Sequence, residues 1–175
     1  MTRSDWRIGM VGLGALGLPM AVNLHQAGLS LQIHTRSRRG ENDPQLHGTQ
    51  RCVNPAAAAE NVDVLLLCVS DDTAVQQVLF GADGAASRLQ PGSIVIDCST
   101  ISPKGAQQAA ALLERIGVHY LDAPVTGGTE GARAGTLTVL VGGDAAVLAK
   151  VRPLLDVIGG SVHHIGPVGR GQQAK

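Results

Sequence analysis

The chain has 175 residues, of which 44% are hydrophobic and 16% charged, a composition typical of a globular protein with one substantial domain. Fourteen basic residues balance fourteen acidic ones, and only 2% are aromatic, so neither charge nor base stacking favours nucleic acid. No apolar run approaches the about 18 residues of a membrane span, and we therefore expect no membrane partner.

Short apolar runs alternate with amphipathic or alanine-rich stretches along the chain. The predicted strands are Arg7–Val11, Ser30–His34, Val62–Val69, Ser93–Asp97, Val118–Leu121, Leu137–Val141 and Val162–Ile165. The predicted helices are Ala15–Ala27, Asp71–Leu79, Pro103–Ile116 and Ala145–Ile158, with a weaker helical turn at Asn54–Asn61. Strands that are apolar throughout are typical of a parallel sheet covered on both faces. The alternation predicts an α/β, doubly wound fold with a mostly parallel sheet.

Glycines and cysteines add local expectations. Gly28, Gly117 and Gly159 each follow a predicted helix, where a left-handed cap is favoured. The polar segment Ser37–Arg51 is predicted to be a surface loop. The three cysteines lack the spacing of a metal site, so we expect no metal. Cys68 and Cys98, which lie in apolar runs, are expected to be buried thiols. No cleavable leader is recognisable before the first strand, which makes the cytoplasm the expected location.

A glycine-rich run directly follows the first strand and opens the first helix. It reads Gly12, Leu13, Gly14, Ala15, Leu16 and Gly17, and all six are candidate cofactor-binding residues. The first glycine permits a tight turn, the second lets the backbone approach a pyrophosphate, and the third lets the helix pack closely on the strand. The positive end of the helix then faces the phosphates. The run predicts a Rossmann-type dinucleotide site, and a glycine-rich turn without a ligand is the alternative.

The end of the second strand indicates which dinucleotide binds. An NAD-selective site carries an Asp or Glu about 20 residues after the glycines. Here Thr35, Arg36 and Ser37 occupy that region, and the first carboxylate is that of Glu41. A guanidinium binds a 2′-phosphate with paired hydrogen bonds, whereas a carboxylate repels it. We therefore expect NADP(H), held by Arg36 with the two neighbouring hydroxyls and with Arg38 as an outer charge. NAD(H) is the alternative coenzyme, and a solvated basic loop is the alternative interpretation.

Three segments in a fixed order extend the pattern over the whole chain. They are Gly12–Leu24, Asp122–Gly143 and Gly166–Lys175. The first resembles the opening of the β-hydroxyacid dehydrogenases, which include 3-hydroxyisobutyrate dehydrogenase and the tartronate semialdehyde and glyoxylate/succinic semialdehyde reductases. The second resembles the substrate-binding signature of that family, and the third the start of its catalytic-lysine signature. The resemblance implies hydride transfer between a nicotinamide and a small 3-hydroxy acid or semialdehyde acid.

The resemblance also implies roles for residues at the ends of the central strands. Val69 and Ser70 match the dipeptide at the cofactor edge, and Ala74 matches a further contact on the nicotinamide side. Ser99 is implied as a substrate-binding residue and Thr100 as a neighbour of the nicotinamide ribose. Ordinary capping of the following helix is the alternative for this hydroxyl pair.

A second set of implied roles concerns the substrate. Thr126, Gly127 and Gly128 offer backbone N–H groups and little side chain, which suits a small carboxylate substrate. Thr126 stands where the family often has serine, and the added methyl group puts the substrate size in doubt. A simple turn before the strand at Leu137 is the alternative for these residues.

Lys175, the last residue, corresponds to the family's catalytic lysine, which holds the substrate oxygen and passes the proton as hydride moves. A frayed, solvated end is the alternative. Family members continue from this lysine into a helical domain that closes the active site and mediates dimerisation, and that C-terminal helical domain is absent from this chain. We expect a Rossmann domain over 1–165 and the start of an interdomain segment over 166–175. The fragment is then expected to bind cofactor with weak or no activity, and the full-length protein to be a homo-oligomer.

Three other functions are weighed against this one. A non-catalytic NADP-binding module needs neither the lysine nor the Thr126–Gly128 motif. An imine reductase shares the scaffold but typically replaces the lysine, so Lys175 disfavours it. In 6-phosphogluconate dehydrogenase the glycine motifs are similar, but Gly135–Val141 fits the branch with smaller substrates better.

Overall fold

A nine-stranded sheet runs through the computed structural model, which describes residues 5–175. The strands are β1 (Arg7–Val11), β2 (Ser30–His34), β3 (Gln50–Arg51), β4 (Val64–Leu67), β5 (Ile94–Asp97), β6 (His119–Asp122), β7 (Val125–Thr126), β8 (Leu137–Gly142) and β9 (Gly159–Gly166). Strands β3, β2, β1, β4, β5 and β6 lie side by side in that order, and all are parallel. Strand β8 is antiparallel to β6 and β7 and parallel to β9. The predicted doubly wound, mostly parallel sheet is confirmed.

Helices cover both faces of the sheet. They are α1 (Gly17–Gln26), α2 (Pro55–Ala58), α3 (Asp72–Phe80), α4 (Pro103–Glu114), α5 (Gly128–Ala134), α6 (Ala145–Ile158) and α7 (Arg170–Ala174). Buried residues of α1, α5 and α6 pack in one hydrophobic cluster, and those of α2, α3 and α4 pack in another. Strand β4 shows why its sequence is continuously apolar: Val64 and Leu66 join the first cluster, whereas Leu65 and Leu67 join the second.

The sequence missed four short elements, namely β3, β7, α5 and α7. The expectation of a left-handed cap is met at Gly28 (φ 87°) and Gly117 (φ 74°) but is wrong for Gly159. Gly159 has φ −123°, ends α6 and begins β9 without a turn. A Cβ atom there would lie 2.8 Å from Val139 Cγ2 and 3.0 Å from Leu137 O, so this glycine allows close packing against β8.

The predicted surface loop Ser37–Arg51 is more structured than expected. It contains a short 3₁₀ turn, Pro44–Leu46, in which Leu46 is only 2% exposed, and it ends in β3. Glu41 is also buried, and its Oε1 forms an ion pair with Arg38 Nε at 2.9 Å. An apolar anchor and a buried carboxylate therefore fix this segment to the body of the domain.

Other features of residues 5–175 bear on the remaining expectations. No helix in this range is long and apolar enough to cross a membrane. The same residues contain no group of three or more His, Cys, Asp or Glu side chains arranged to hold a metal ion. All three cysteines are free, and Cys52 and Cys98 are buried. Cys68, expected to be buried, is partly exposed.

Candidate active site

A cavity of about 570 Å³ opens at the carboxyl ends of β1, β2 and β4. Open α/β sheets bind ligands at this edge, and the volume lies in the range of about 300–1,000 Å³ found for ligand pockets. Twelve of the thirteen predicted cofactor-binding residues line it: Gly12, Leu13, Gly14, Ala15, Leu16, Gly17, Thr35, Arg36, Ser37, Val69, Ser70 and Ala74. A second cavity of about 580 Å³ surrounds Trp6 and Lys150 at the opposite edge, away from all predicted site residues.

Each glycine of the turn between β1 and α1 is explained by different surroundings. Gly12 has φ 100°, and a Cβ atom on it would collide with Cys68 O at the end of β4. A Cβ atom on Gly17 would collide with Gly12 O, so this glycine lets α1 start directly against the end of β1. Gly14 is different, since a Cβ atom there would meet nothing within 4 Å. The fold itself therefore does not require a glycine at position 14, and the missing side chain leaves the backbone there open to a ligand.

The amino terminus of α1 is open to an anion. No side chain in the described part of the chain caps it, and its first turn carries no acidic residue. Backbone N–H groups and the helix dipole there favour negative charge. A dinucleotide pyrophosphate fits both the free helix end and the exposed backbone at Gly14.

The end of β2 presents the predicted phosphate-binding residues to the cavity. Thr35, Arg36 and Ser37 line it. Arg38 does not, because its guanidinium pairs with Glu41 and donates to Cys52 O at 3.3 Å. The structure therefore places Arg38 as a brace of this loop rather than as the expected outer charge, and Arg36 is the guanidinium that faces the cavity.

Six lining residues were not predicted from the sequence. They are Val11, His34, Pro55, Cys68, Gln77 and Val78. A signal for two of them was present, because Gln77 and Val78 follow Ala74 at the i, i+3 and i+4 spacing that brings side chains to one helix face. Pro55 gave no comparable signal, since the start of α2 reaches the cavity only through the folding of the sheet.

Buried carboxylates organise the ends of β5 and β6. Asp97 is 0% exposed, and its oxygens accept hydrogen bonds from Ser99 N (3.0 Å) and Tyr120 Oη (2.9 Å). Burial raises the pKa of Asp97 to about 6, although the hydrogen bonds from Ser99 and Tyr120 oppose this rise and the nearby Asp122 carboxylate adds to it. This network fixes the backbone that leads to Thr100.

The hydroxyl pair that follows β5 is divided between the interior and the surface. Ser99 is 2% exposed, and its Oγ accepts a 2.9 Å hydrogen bond from Val69 N. The geometry gives Ser99 a part in joining the ends of β4 and β5, and its direct contact with substrate stays a prediction. Thr100 is exposed but lies outside the lining of the cavity. Neither residue caps α4, whose cap is Ser102.

The predicted lysine lies beside the predicted carboxylate-binding motif. Lys175 Nζ donates a 2.6 Å hydrogen bond to Val125 O, the residue before Thr126. Gly127 (φ 135°) and Gly128 (φ 64°) continue from there into α5, with Thr126 and both glycines exposed. The segment therefore leads from the end of β7 into α5 rather than forming a simple turn.

The Cys68 thiol lines the cavity, and its pKa responds to the charges around it. Burial and, to a smaller extent, the Asp97 carboxylate raise the pKa of Cys68 to about 12, although the Lys175 ammonium opposes this rise. A thiol with so high a pKa stays protonated near neutrality and acts here as an apolar wall.

The fold and the cavity together define a dinucleotide-binding domain of the Rossmann type. Residues 7–166 match the family model described as the NAD binding domain of 6-phosphogluconate dehydrogenase. The chain belongs to this family of oxidoreductase domains, and its curated relatives include hydroxy-acid dehydrogenases and reductases, which confirms the resemblance found in the sequence.

Individual relatives cover nearly all of this chain. The NAD-dependent L-serine dehydrogenase of Pseudomonas aeruginosa is 38% identical over 97% of this chain and 57% of its own length. The structure of 3-hydroxyisobutyrate dehydrogenase of Mycobacterium tuberculosis with L-serine superposes with a TM-score of 0.91, at 34% identity, over 97% and 57% of the two chains. Psf3 in complex with NADP+ and 2-OPP gives 0.90, at 32% identity, over 95% and 59%. The chain thus spans somewhat over half the length of these relatives.

Proposed function

We propose that this chain is the cofactor-binding part of an NADP(H)-dependent oxidoreductase acting on a small 3-hydroxy acid or semialdehyde acid. The observation that carries the coenzyme preference is the position of Arg36 in the wall of the cavity, where its sequence neighbours Thr35 and Ser37 also contribute to the lining. The lining residues include no carboxylate. A guanidinium flanked by hydroxyls suits a 2′-phosphate, and a complex of the related Psf3 contains NADP+.

The substrate half of the proposal rests on Lys175 and the segment Thr126–Gly128. The exposed backbone of this segment suits a carboxylate, and the ammonium beside it suits the oxygen of the reacting carbon. A bound nicotinamide would exchange hydride with that carbon. The lysine would hold the hydroxyl or carbonyl oxygen and give or take its proton. Two relatives that are named for, or solved with, L-serine support a small hydroxy acid as the substrate class.

The coenzyme preference is tested with a matched pair of arginine variants. NADPH and NADH are titrated separately into the wild type, Arg36→Ala and Arg39→Ala, with binding followed by coenzyme fluorescence. Arg39 belongs to the same loop but lies outside the cavity lining.

We expect Arg36→Ala to weaken NADPH binding about tenfold or more, because charge-assisted hydrogen bonds contribute about 1.5–3 kcal/mol each. NADH binding should change less than about twofold, and Arg39→Ala should resemble the wild type. Equal affinities for both coenzymes, unaffected by Arg36→Ala, would remove the case for NADP(H).

The substrate class is tested in the whole protein, since this chain covers only part of the length of its relatives. Succinic semialdehyde, glyoxylate and tartronate semialdehyde are offered with NADPH to the wild type and to Lys175→Met. We expect turnover of at least one by the wild type and a loss of about 100-fold or more in kcat without the lysine. Undiminished kcat in Lys175→Met would exclude the proposed role of this residue.

A further inference from the structure

Helix α7, which ends directly before Lys175, is held at its start by a buried carboxylate. Asp122, at the end of β6, is 0% exposed. Its Oδ1 accepts a 2.8 Å hydrogen bond from Gly169 N, and its Oδ2 accepts a 2.9 Å bond from Gln172 N. A Cβ atom on Gly171 would collide with Leu140 O. The helix is therefore seated closely on β6 and β8.

A second link runs from the side chain of Gln172, which is 8% exposed. Its Nε2 donates a 2.7 Å hydrogen bond to Ser99 O, and its Oε1 accepts a 3.1 Å bond from Ile101 N. These two backbone groups lie on either side of Thr100. One amide side chain thus holds the segment that leads from β5 to α4, across 71 to 73 positions of sequence.

Lys175 directly follows α7, and its N–H donates a 3.1 Å hydrogen bond to Gly171 O, so the helical turn extends to it. Gln172 lies three positions earlier, a spacing that places side chains on one face of a helix. The segment from β5 to α4 is also linked to the cavity. Ser99 Oγ accepts a hydrogen bond from Val69 N, and Val69 lines the cavity. A continuous series of hydrogen bonds therefore joins the cavity wall to α7 through the Ser99–Ile101 backbone and Gln172.

The neighbouring glutamine shows that the arrangement is specific. Gln173 is exposed, and its Oε1 accepts a 2.7 Å hydrogen bond from Arg170 within the same helix. Both residues have the same side chain and the same helical setting, but only Gln172 reaches another part of the site.

We propose that Gln172 is a positioning residue that sets the Lys175 amine in register with the Thr100 segment of the coenzyme site. The hydrogen bonds to Ser99 O and Ile101 N couple the coenzyme pocket to the lysine. This inference rests on the proposed function, since it gives Lys175 and the coenzyme their roles. Only a side chain with one donor and one acceptor at this reach satisfies both backbone groups.

The test compares Gln172→Met, which has similar length and no amide, with Gln173→Met as the matched control. The chain has only three lysines, Lys104, Lys150 and Lys175, so each is followed separately. Their acetylation by a water-soluble active ester is measured by mass spectrometry, with and without saturating NADP+. The labelling rate of Lys175 relative to that of exposed Lys104 is the readout. Thermal unfolding and the NADPH dissociation constant are measured for each variant.

In the wild type and Gln173→Met, we expect NADP+ to slow the labelling of Lys175 relative to Lys104. In Gln172→Met, the coenzyme-free ratio should rise about threefold or more, because local opening releases the amine from its hydrogen bond to Val125 O. The effect of NADP+ on the ratio should also disappear while the NADPH dissociation constant stays within about twofold. A role limited to helix stability would lower the melting temperature but leave the coenzyme response of Lys175 intact. Should Gln172→Met fail to fold, Gln172→Asn, whose amide is too short to span both groups, takes its place.

The outcomes separate the inference from the proposed function. The positioning role is overturned if Lys175 is labelled in the Gln172 variant at the same relative rate as in Gln173→Met, both with and without NADP+. Absence of NADPH binding by folded wild type overturns the proposed function, and with it the coupling to coenzyme. The coenzyme-free labelling ratio still decides whether Gln172 holds Lys175 in place.

Discussion

The buried carboxyl group of Asp97 makes the stability of this domain depend on pH in a direction opposite to that of most acidic residues. Burial raises its pKa from the ordinary value of 3.8 to about 6. A rise of this size corresponds to about 3 kcal/mol. The folded state keeps the proton that the unfolded chain loses first, so stability should fall as the pH rises from about 4 to about 6 and then level off.

The substitution Asp97→Asn isolates this effect. The carbonyl of the introduced amide still accepts from Ser99 N, and its NH₂ group donates to Tyr120 Oη once that hydroxyl turns to accept. Urea unfolding is followed by far-UV circular dichroism at pH 4, 5, 6 and 7. The lowered pKa of the exposed cap Asp144 acts equally in both proteins and cancels in the difference.

We expect the free energy of unfolding of the wild type, relative to Asp97→Asn, to fall by about 2.4 kcal/mol between pH 4 and pH 7, because part of the full difference is already lost at pH 4. The exposed Asp83 provides a control for removing a carboxyl group at the surface, and Asp83→Asn is unfolded under the same conditions. A difference between wild type and Asp97→Asn that stays flat within about 0.5 kcal/mol would refute the reasoning.

Two further predictions concern side chains that hold the site in place, and both are measured by urea unfolding. Arg38→Ala leaves the Glu41 carboxylate buried without its ion pair and should cost about 1–3 kcal/mol, whereas Arg39→Ala should cost under about 0.5. Equal costs would mean that the brace contributes nothing. Asn23→Leu removes the 2.7 Å hydrogen bond to Ala132 O that joins α1 to α5 and should cost about 1–2 kcal/mol. The exposed Gln26→Leu is its control, and a loss no larger than that of the control would contradict the assigned role.

The main pattern of the fold was predictable because its signals are local. The apolar run of β4 and the glycines of the first turn each report their own surroundings. Helix α5 gave no such signal, since two of its seven residues are glycine. Its packing depends on the burial of its own Ala132 in the core and on the hydrogen bond that distant Asn23 donates to Ala132 O. Strands β3 and β7 have two residues each, too few for a periodic pattern.

In the candidate site, too, the residues that belong to a local motif were predicted, and those that depend on distant contacts were not. Residues that follow directly from a motif, such as Gly14 and Arg36, were found at the cavity. The burial of Ser99 and the link from Gln172 to its carbonyl depend on segments 73 residues apart, which the sequence pattern does not bring together.

The central claim is that the backbone at the start of α1 receives a dinucleotide pyrophosphate, and Gly14→Ala tests it most directly. A Cβ atom on Gly14 meets no protein atom within 4 Å, so the melting temperature should stay within about 1 °C of the wild type. The methyl group would stand where the pyrophosphate approaches. Calorimetric titration with NADPH should therefore show one site in the wild type and binding about tenfold weaker or absent in Gly14→Ala. A folded wild type that gives no heat, or a Gly14→Ala variant with unchanged affinity, would contradict the account.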